Sequence, residues 1–217
     1  MQEHMHLSRR VARSLQRRFA SLRERTLARL FLPHFIRELH DALSRTPIRD
    51  RYWLWGGALI GWARWGRLLP HDIDADFGYF AADRDALLAA LPALACAGYR
   101  LSRTFQRNDG HVTELVLTRA GLRFEFFELE PEGTDRARYW VYGREEQITC
   151  SVPWNGLTQR RFLGRSWWMP TDFDSFLTSI YGDWRTPNPD WDYMFDDRAT
   201  VAREPWCDRW TLVGEAY

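Results

Sequence analysis

The sequence contains no lysine, so all thirty of its basic residues are arginine. Against twenty-nine acidic residues they leave a formal net charge of +1. A general nucleic-acid binder is usually strongly basic, and no nucleic-acid partner is expected. Cysteine is scarce as well. Cys96, Cys150 and Cys207 are odd in number, far apart and in no metal-ligand spacing, which speaks for a reduced compartment. No run of eighteen apolar residues is present to span a membrane, and the first forty residues lack the continuous apolar core of a secretory signal. The expected location is cytoplasmic. There is no internal repeat and no low-complexity linker. No glycine fingerprint of the right spacing follows a strand, so haem, flavin and dinucleotide roles have no support.

What is present is an ordinary globular balance with an aromatic excess. Of 217 residues, 45% are hydrophobic and 15% aromatic, with twelve tryptophans. That length can bury a proper core. We expect a helical extension over residues 1–48 and a catalytic domain over 49–217. In the extension, apolar side chains recur at helical spacing from Val11 through Leu43, and Pro33 is expected to split the run into two helices. The first fifty residues carry eleven arginines against five acidic residues, a local net of +6. Arg9, Arg10, Arg13, Arg17 and Arg18 make the first helix basic and amphipathic. Such a helix can lie peripherally on an anionic membrane, dock onto a second copy of the chain, or pack on its own domain.

Further along, an aromatic strand is expected at 52–55, a short helix at 57–65 and a strand at 72–80. Asp83 is a candidate N-cap for a helix through Ala97, which Pro92 threatens to end early. Strands follow at 99–105, 112–118 and 122–129, the last two joined by a tight turn at Ala120-Gly121. Shorter strands are expected near 139–142 and 147–152, and a strand-and-turn segment at 160–168. Thr171 is placed as the cap of a helix that Gly182 stops. The chain beyond Arg185 reads as an irregular tail.

The chemistry concentrates in WGGALIGWARWGRLLPHDIDADFGY, residues 55–79. In an extended strand side chains repeat with period two, so Asp72, Asp74 and Asp76 would share one face and Ile73, Ala75 and Phe77 the other. Like charges on one face repel, and hard divalent cations such as Mg²⁺ or Mn²⁺ want such oxygen ligands. Upstream, Gly56 and Gly57 let backbone N–H groups approach phosphate oxygens at a helix start. Arg64 could pair with a phosphate oxygen or bond to the aspartate loop, and His71 could reach a phosphate or act as a base. Glu125, between Phe124 and Phe126, is costly to bury without a partner, which a metal or an arginine would supply. Glu128 and Glu130 are expected to be solvated.

Here the residues carry a resemblance. GGALIGWARWGRLLPHDIDADFG is similar to the signature of the LicD/fukutin family, with Gly57, Leu59, Gly61, Arg64, Pro70, Asp72, Asp74 and Asp76 in register. PTDFDSFLTSIYGDWRTP resembles the family's closing segment, and Phe124 to Phe127 stand where the family has Val-Asp-Ile-Phe. Ala58, His71 and Ile73 depart from the pattern, and the third acid is Glu in place of Asp. The resemblance implies an α+β, nucleotidyltransferase-like fold, a mixed sheet flanked by helices. It implies transfer of a phospho-alcohol from a CDP-activated donor to a sugar or glycan. Asp74, Asp76 and Glu125 would be the catalytic metal set, supported by Asp72. Two other readings stay open: nucleotidyl transfer from an NTP, and a non-catalytic binding module of the same fold.

Overall fold

The computed structural model describes residues 22–143, 145–206 and 210–212. The basic helix expected before Leu22, with its five arginines, lies outside the described residues. Four α-helices and eleven strands are found among them. Helix α1 (Leu22–Leu43) is followed by β1 (Tyr52–Leu54), α2 (Gly56–Trp65), β2 (Asp74–Phe80) and α3 (Arg84–Cys96). Strands β3 (Arg100–Gln106), β4 (Val112–Arg119), β5 (Leu122–Glu132), β6 (Arg136–Tyr142) and β7 (Glu146–Pro153) come next. A hairpin of β8 (Leu157–Phe162) and β9 (Arg165–Pro170) leads to α4 (Phe173–Tyr181), and β10 (Thr200–Pro205) and β11 (Trp210–Leu212) are the last elements among the described residues. No described helix is long and apolar enough to cross a membrane.

Nine of these strands form one mixed sheet, as expected for an α+β chain of helices flanking a sheet. Its pivot is β5. Residues 123–129 pair in parallel with β2 on one side and residues 122–127 antiparallel with β4 on the other. The far end, from Glu130, turns to pair with β6, and β7 and β10 continue that wing. Strand β1 adds antiparallel to β2, and β3 and β11 extend the edge beyond β4. The alternation of β2 is clear: Ala75, Phe77 and Tyr79 are buried, while Asp74 and Asp76 point to the other face. Phe124 and Phe126 of β5 join them beneath the sheet, where Ala28, Leu32, Ile36, Leu39 and Leu43 of α1 close the core. The described part of the N-terminal segment therefore shares the core of the sheet.

Several local expectations are corrected. Helix α1 runs through Pro33 without a break. The proline costs one hydrogen bond, but the freed carbonyl belongs to Arg29 on the exposed side, and the five buried residues hold the helix to the sheet. Helix α3 likewise continues past Pro92, and Asp83 does not cap it: a 3-10 turn leads in, and the Asp83 carboxylate takes Arg51 at 3.1 Å. The cap of α4 is Asp172, which accepts the Ser175 N–H at 3.0 Å, in place of Thr171. Strand β2 begins at Asp74, so Asp72 stands in the turn before it. The tail is not wholly irregular, since it supplies β10 and β11.

One close contact sets the spacing between β1 and β2. A Cβ on Gly78 would lie 2.4 Å from the Trp53 indole, which is itself fully buried. Gly78→Ala is therefore expected to cost about 2 kcal/mol through overpacking. Urea unfolding measures it; a change within ~0.5 kcal/mol would mean that the indole moves aside freely.

Candidate active site

Strand pairing, more than sequence spacing, assembles the acidic cluster. In the parallel ladder Asp74 lies opposite Arg123 and Asp76 opposite Glu125, so the three acids share one face of two neighbouring strands. Strand β1 and helix α2 bring the glycine pair to the same place. The Trp55 N–H donates to the Asp76 carbonyl at 3.0 Å, fixing the chain just before α2 begins. Gly56 then takes a φ of +49°, and a Cβ there would sit 2.1 Å from Asp76 Oδ2. A Cβ on Gly57 would sit 2.7 Å from Asp72 Oδ2. Any side chain at these two positions would fill the space that the carboxylates occupy. The Gly57 N–H donates to Asp76 Oδ2 at 3.4 Å, so the start of α2 already faces a carboxyl oxygen.

The electrostatics follow from this crowding. Burial and the charge of Asp74 push Asp72 up to about 8. Burial raises Glu125 to about 7, with Arg123 and Arg103 pulling it back and Asp74 adding to the rise. Asp76 is raised well above the ordinary carboxylate value, by burial and then by the charges of Asp74, Glu125 and Asp72. A fifth carboxylate belongs to the group. Glu114 of β4 lies on the face of Glu125, since Val116 is the residue opposite Glu125 in the ladder. It is 7% exposed, and burial and the Glu125 charge raise it well above the usual carboxylate range. Sequence reading missed it. The available signal was a single acid interrupting the apolar run from Val112 to Leu117.

These residues fit a divalent cation. Asp72 Oδ2 is buried without a hydrogen-bond partner in the chain. The donor set is all oxygen, and the like charges gain most from an ion of opposite sign. A second group, His111, Glu128 and Glu130, brings ligand atoms within 4.8 Å of one another and could also hold a metal ion. There, however, guanidinium groups already meet the acids: Arg84 donates to Glu128 at 2.7 Å and Arg107 to Glu130 at 2.9 Å. Glu128 is fully buried, contrary to the expected solvation, because Tyr79, Arg84 and His111 all bond to it.

Arg64 donates from Nε to the Trp184 carbonyl and from Nη2 to the Thr186 carbonyl at 3.3 Å, tying α2 to the segment after α4. These bonds go to the closing segment in place of the aspartate loop. His71 is exposed in the turn before β2, and partial burial with the charges of Arg64 and Arg25 holds it below its ordinary value. Tyr181 of the closing segment is near the acids: burial, then the charges of Asp76, Asp197 and Asp72, raise its hydroxyl.

The family described as LicD/FKTN/FKRP, nucleotidyltransferase domain, matches residues 49–172, from the turn before β1 to the N-cap of α4. No curated protein matches the chain.

Proposed function

The chain belongs to the LicD/FKTN/FKRP family, and on that premise we propose that it is a metal-dependent transferase that moves a phospho-alcohol from a CDP-activated donor to a hydroxyl of a sugar or glycan. Membership supports a transferase in general; the donor, the ion and the glycan acceptor are our reading. The observation that carries it is the pairing of Asp76 with Glu125 on parallel strands, beside Asp74 and under a glycine pair too close for any side chain.

In this reading Asp74, Asp76 and Glu125 hold Mg²⁺ or Mn²⁺, with Asp72 in support. A bound ion would neutralise charge developing on the CMP leaving group. Gly56 and Gly57 keep the start of α2 within reach of a phosphate, and the N-terminal end of the helix favours that negative charge. The acceptor oxygen bonds to phosphorus as the bond from phosphorus to CMP breaks. Its proton goes to a carboxylate left free of the ion.

The test is release of CMP from CDP-choline and CDP-ribitol against a panel of sugar acceptors, with and without Mn²⁺. The wild type should release CMP only with the ion, and Glu125→Gln should lose at least about 10³-fold, as expected when a charge-stabilising group is removed. Consumption of free NTP with release of pyrophosphate would overturn the donor assignment in favour of nucleotidyl transfer. Absence of any metal-dependent nucleotide binding would leave a binding module.

A further inference from the structure

One cation already sits among these acids. Arg123, the ladder partner of Asp74, donates from Nη2 to Asp74 Oδ2 at 2.5 Å, and its Nε stands 3.5 Å from Glu125 Oε1. It therefore bridges two of the three carboxylates assigned above to the ion. Its side chain is 47% exposed, against 28% for Asp74 and 16% for Glu125. The guanidinium thus lies at the mouth of the site, with the acids beneath it. Resting on the transferase reading, we propose that Arg123 is the internal stand-in for the metal: it neutralises Asp74 and Glu125 in the metal-free chain, is displaced when the ion binds, and then takes a phosphate of the nucleoside diphosphate donor.

Comparison with the arginine contact at Glu128, also on β5, shows why Arg123 can move. Arg84 is locked, because it bonds to the buried Glu128, to the Val112 carbonyl and to His111 at once. The contacts of Arg123 are made to the acids that the ion needs. When those oxygens turn to a dication, the attraction that held the guanidinium is replaced by repulsion between two cations. Half-exposed, it has solvent to turn into, and its planar fork suits a phosphate with two free oxygens. The same step delivers a positive charge to the donor just as the ion arrives. Metal and nucleotide should consequently bind in a linked way, the second tighter after the first.

Calorimetric titration of Mn²⁺ alone, then of CDP into the Mn²⁺-loaded protein, tests this on wild type, Arg123→Gln and Arg123→Lys. With its resident competitor removed, Arg123→Gln should bind Mn²⁺ on the order of threefold to tenfold more tightly at low salt, an increment typical of one partly exposed charge. Arg123→Lys should stay near wild type in that step. CDP binding to the loaded Arg123→Gln protein should weaken about tenfold or more. Unchanged or weaker Mn²⁺ binding by Arg123→Gln would overturn the stand-in role, and unchanged CDP affinity would overturn the donor contact. Either result leaves the metal site intact. If the wild type bound no Mn²⁺ at all, the transferase reading itself would fall, and this inference with it.

Discussion

Replacing Asp76 by Asn is expected to abolish transfer and, in the same protein, to raise the melting temperature of the metal-free chain. Both effects have one source. Asp76 is pressed against Gly56, faces Glu125 across the ladder, and is raised by burial and by three like charges. In the metal-free fold its carboxyl is held well above the range it has in the unfolded chain, so the charged form is disfavoured there. The folded state pays that difference at every pH above the unfolded carboxylate range, and the cost grows until the folded value is reached. Asn keeps the shape and the oxygen that accepts the Gly57 N–H, but carries no charge to suppress. A gain on the order of 1 kcal/mol corresponds to about 2–4 °C for a chain of this size. Activity should fall by about 10³-fold or more, since an amide replaces an anionic ligand. Scanning calorimetry without metal, beside a CMP-release assay with it, reads both. A variant that melts lower without metal would show that Asp76 is structural first.

That antagonism explains what the sequence could and could not reveal. The alternation of Asp74 and Asp76 with Ala75, Phe77 and Tyr79 is a local pattern, and it survives in β2 as read. The glycine pair was legible for the same reason, although its position against the acids depends on β1 lying beside β2. Glu114 was not legible as a member of the site. Its place beside Glu125 comes from the register of β4 on β5, which no spacing within Val112–Arg119 announces. The partners of Arg64 lie some 120 residues downstream, and Arg84 reaches Glu128 across 44 residues. Long-range pairing of this kind turns an expected surface acid into a buried one. Strand β10 escaped notice because five of its six residues are exposed, so it lacks the apolar alternation that marks a half-buried strand.

Metal affinity is expected to depend steeply on pH. Asp72 stands at about 8 and Glu125 at about 7, so near pH 6 both hold protons that an ion must displace. Lowering the pH from about 8 to about 6 should weaken Mn²⁺ binding by roughly two to three powers of ten, up to about tenfold for each pH unit per proton displaced. Stability runs the opposite way without metal. Both groups have folded values above their unfolded ones, so the native state binds more protons between about pH 4 and about pH 8, and stability falls as pH rises through that window. With saturating Mn²⁺ the slope should flatten, because the ion takes the place of the protons and binds the native state alone. Thermal melts across that range, with and without Mn²⁺, give the stability arm. Titrations at pH 6.5 in two buffers of different ionisation enthalpy give the protons released. Equal heats in the two buffers would mean that no proton leaves, and that the ion sits on carboxylates other than Asp72 and Glu125.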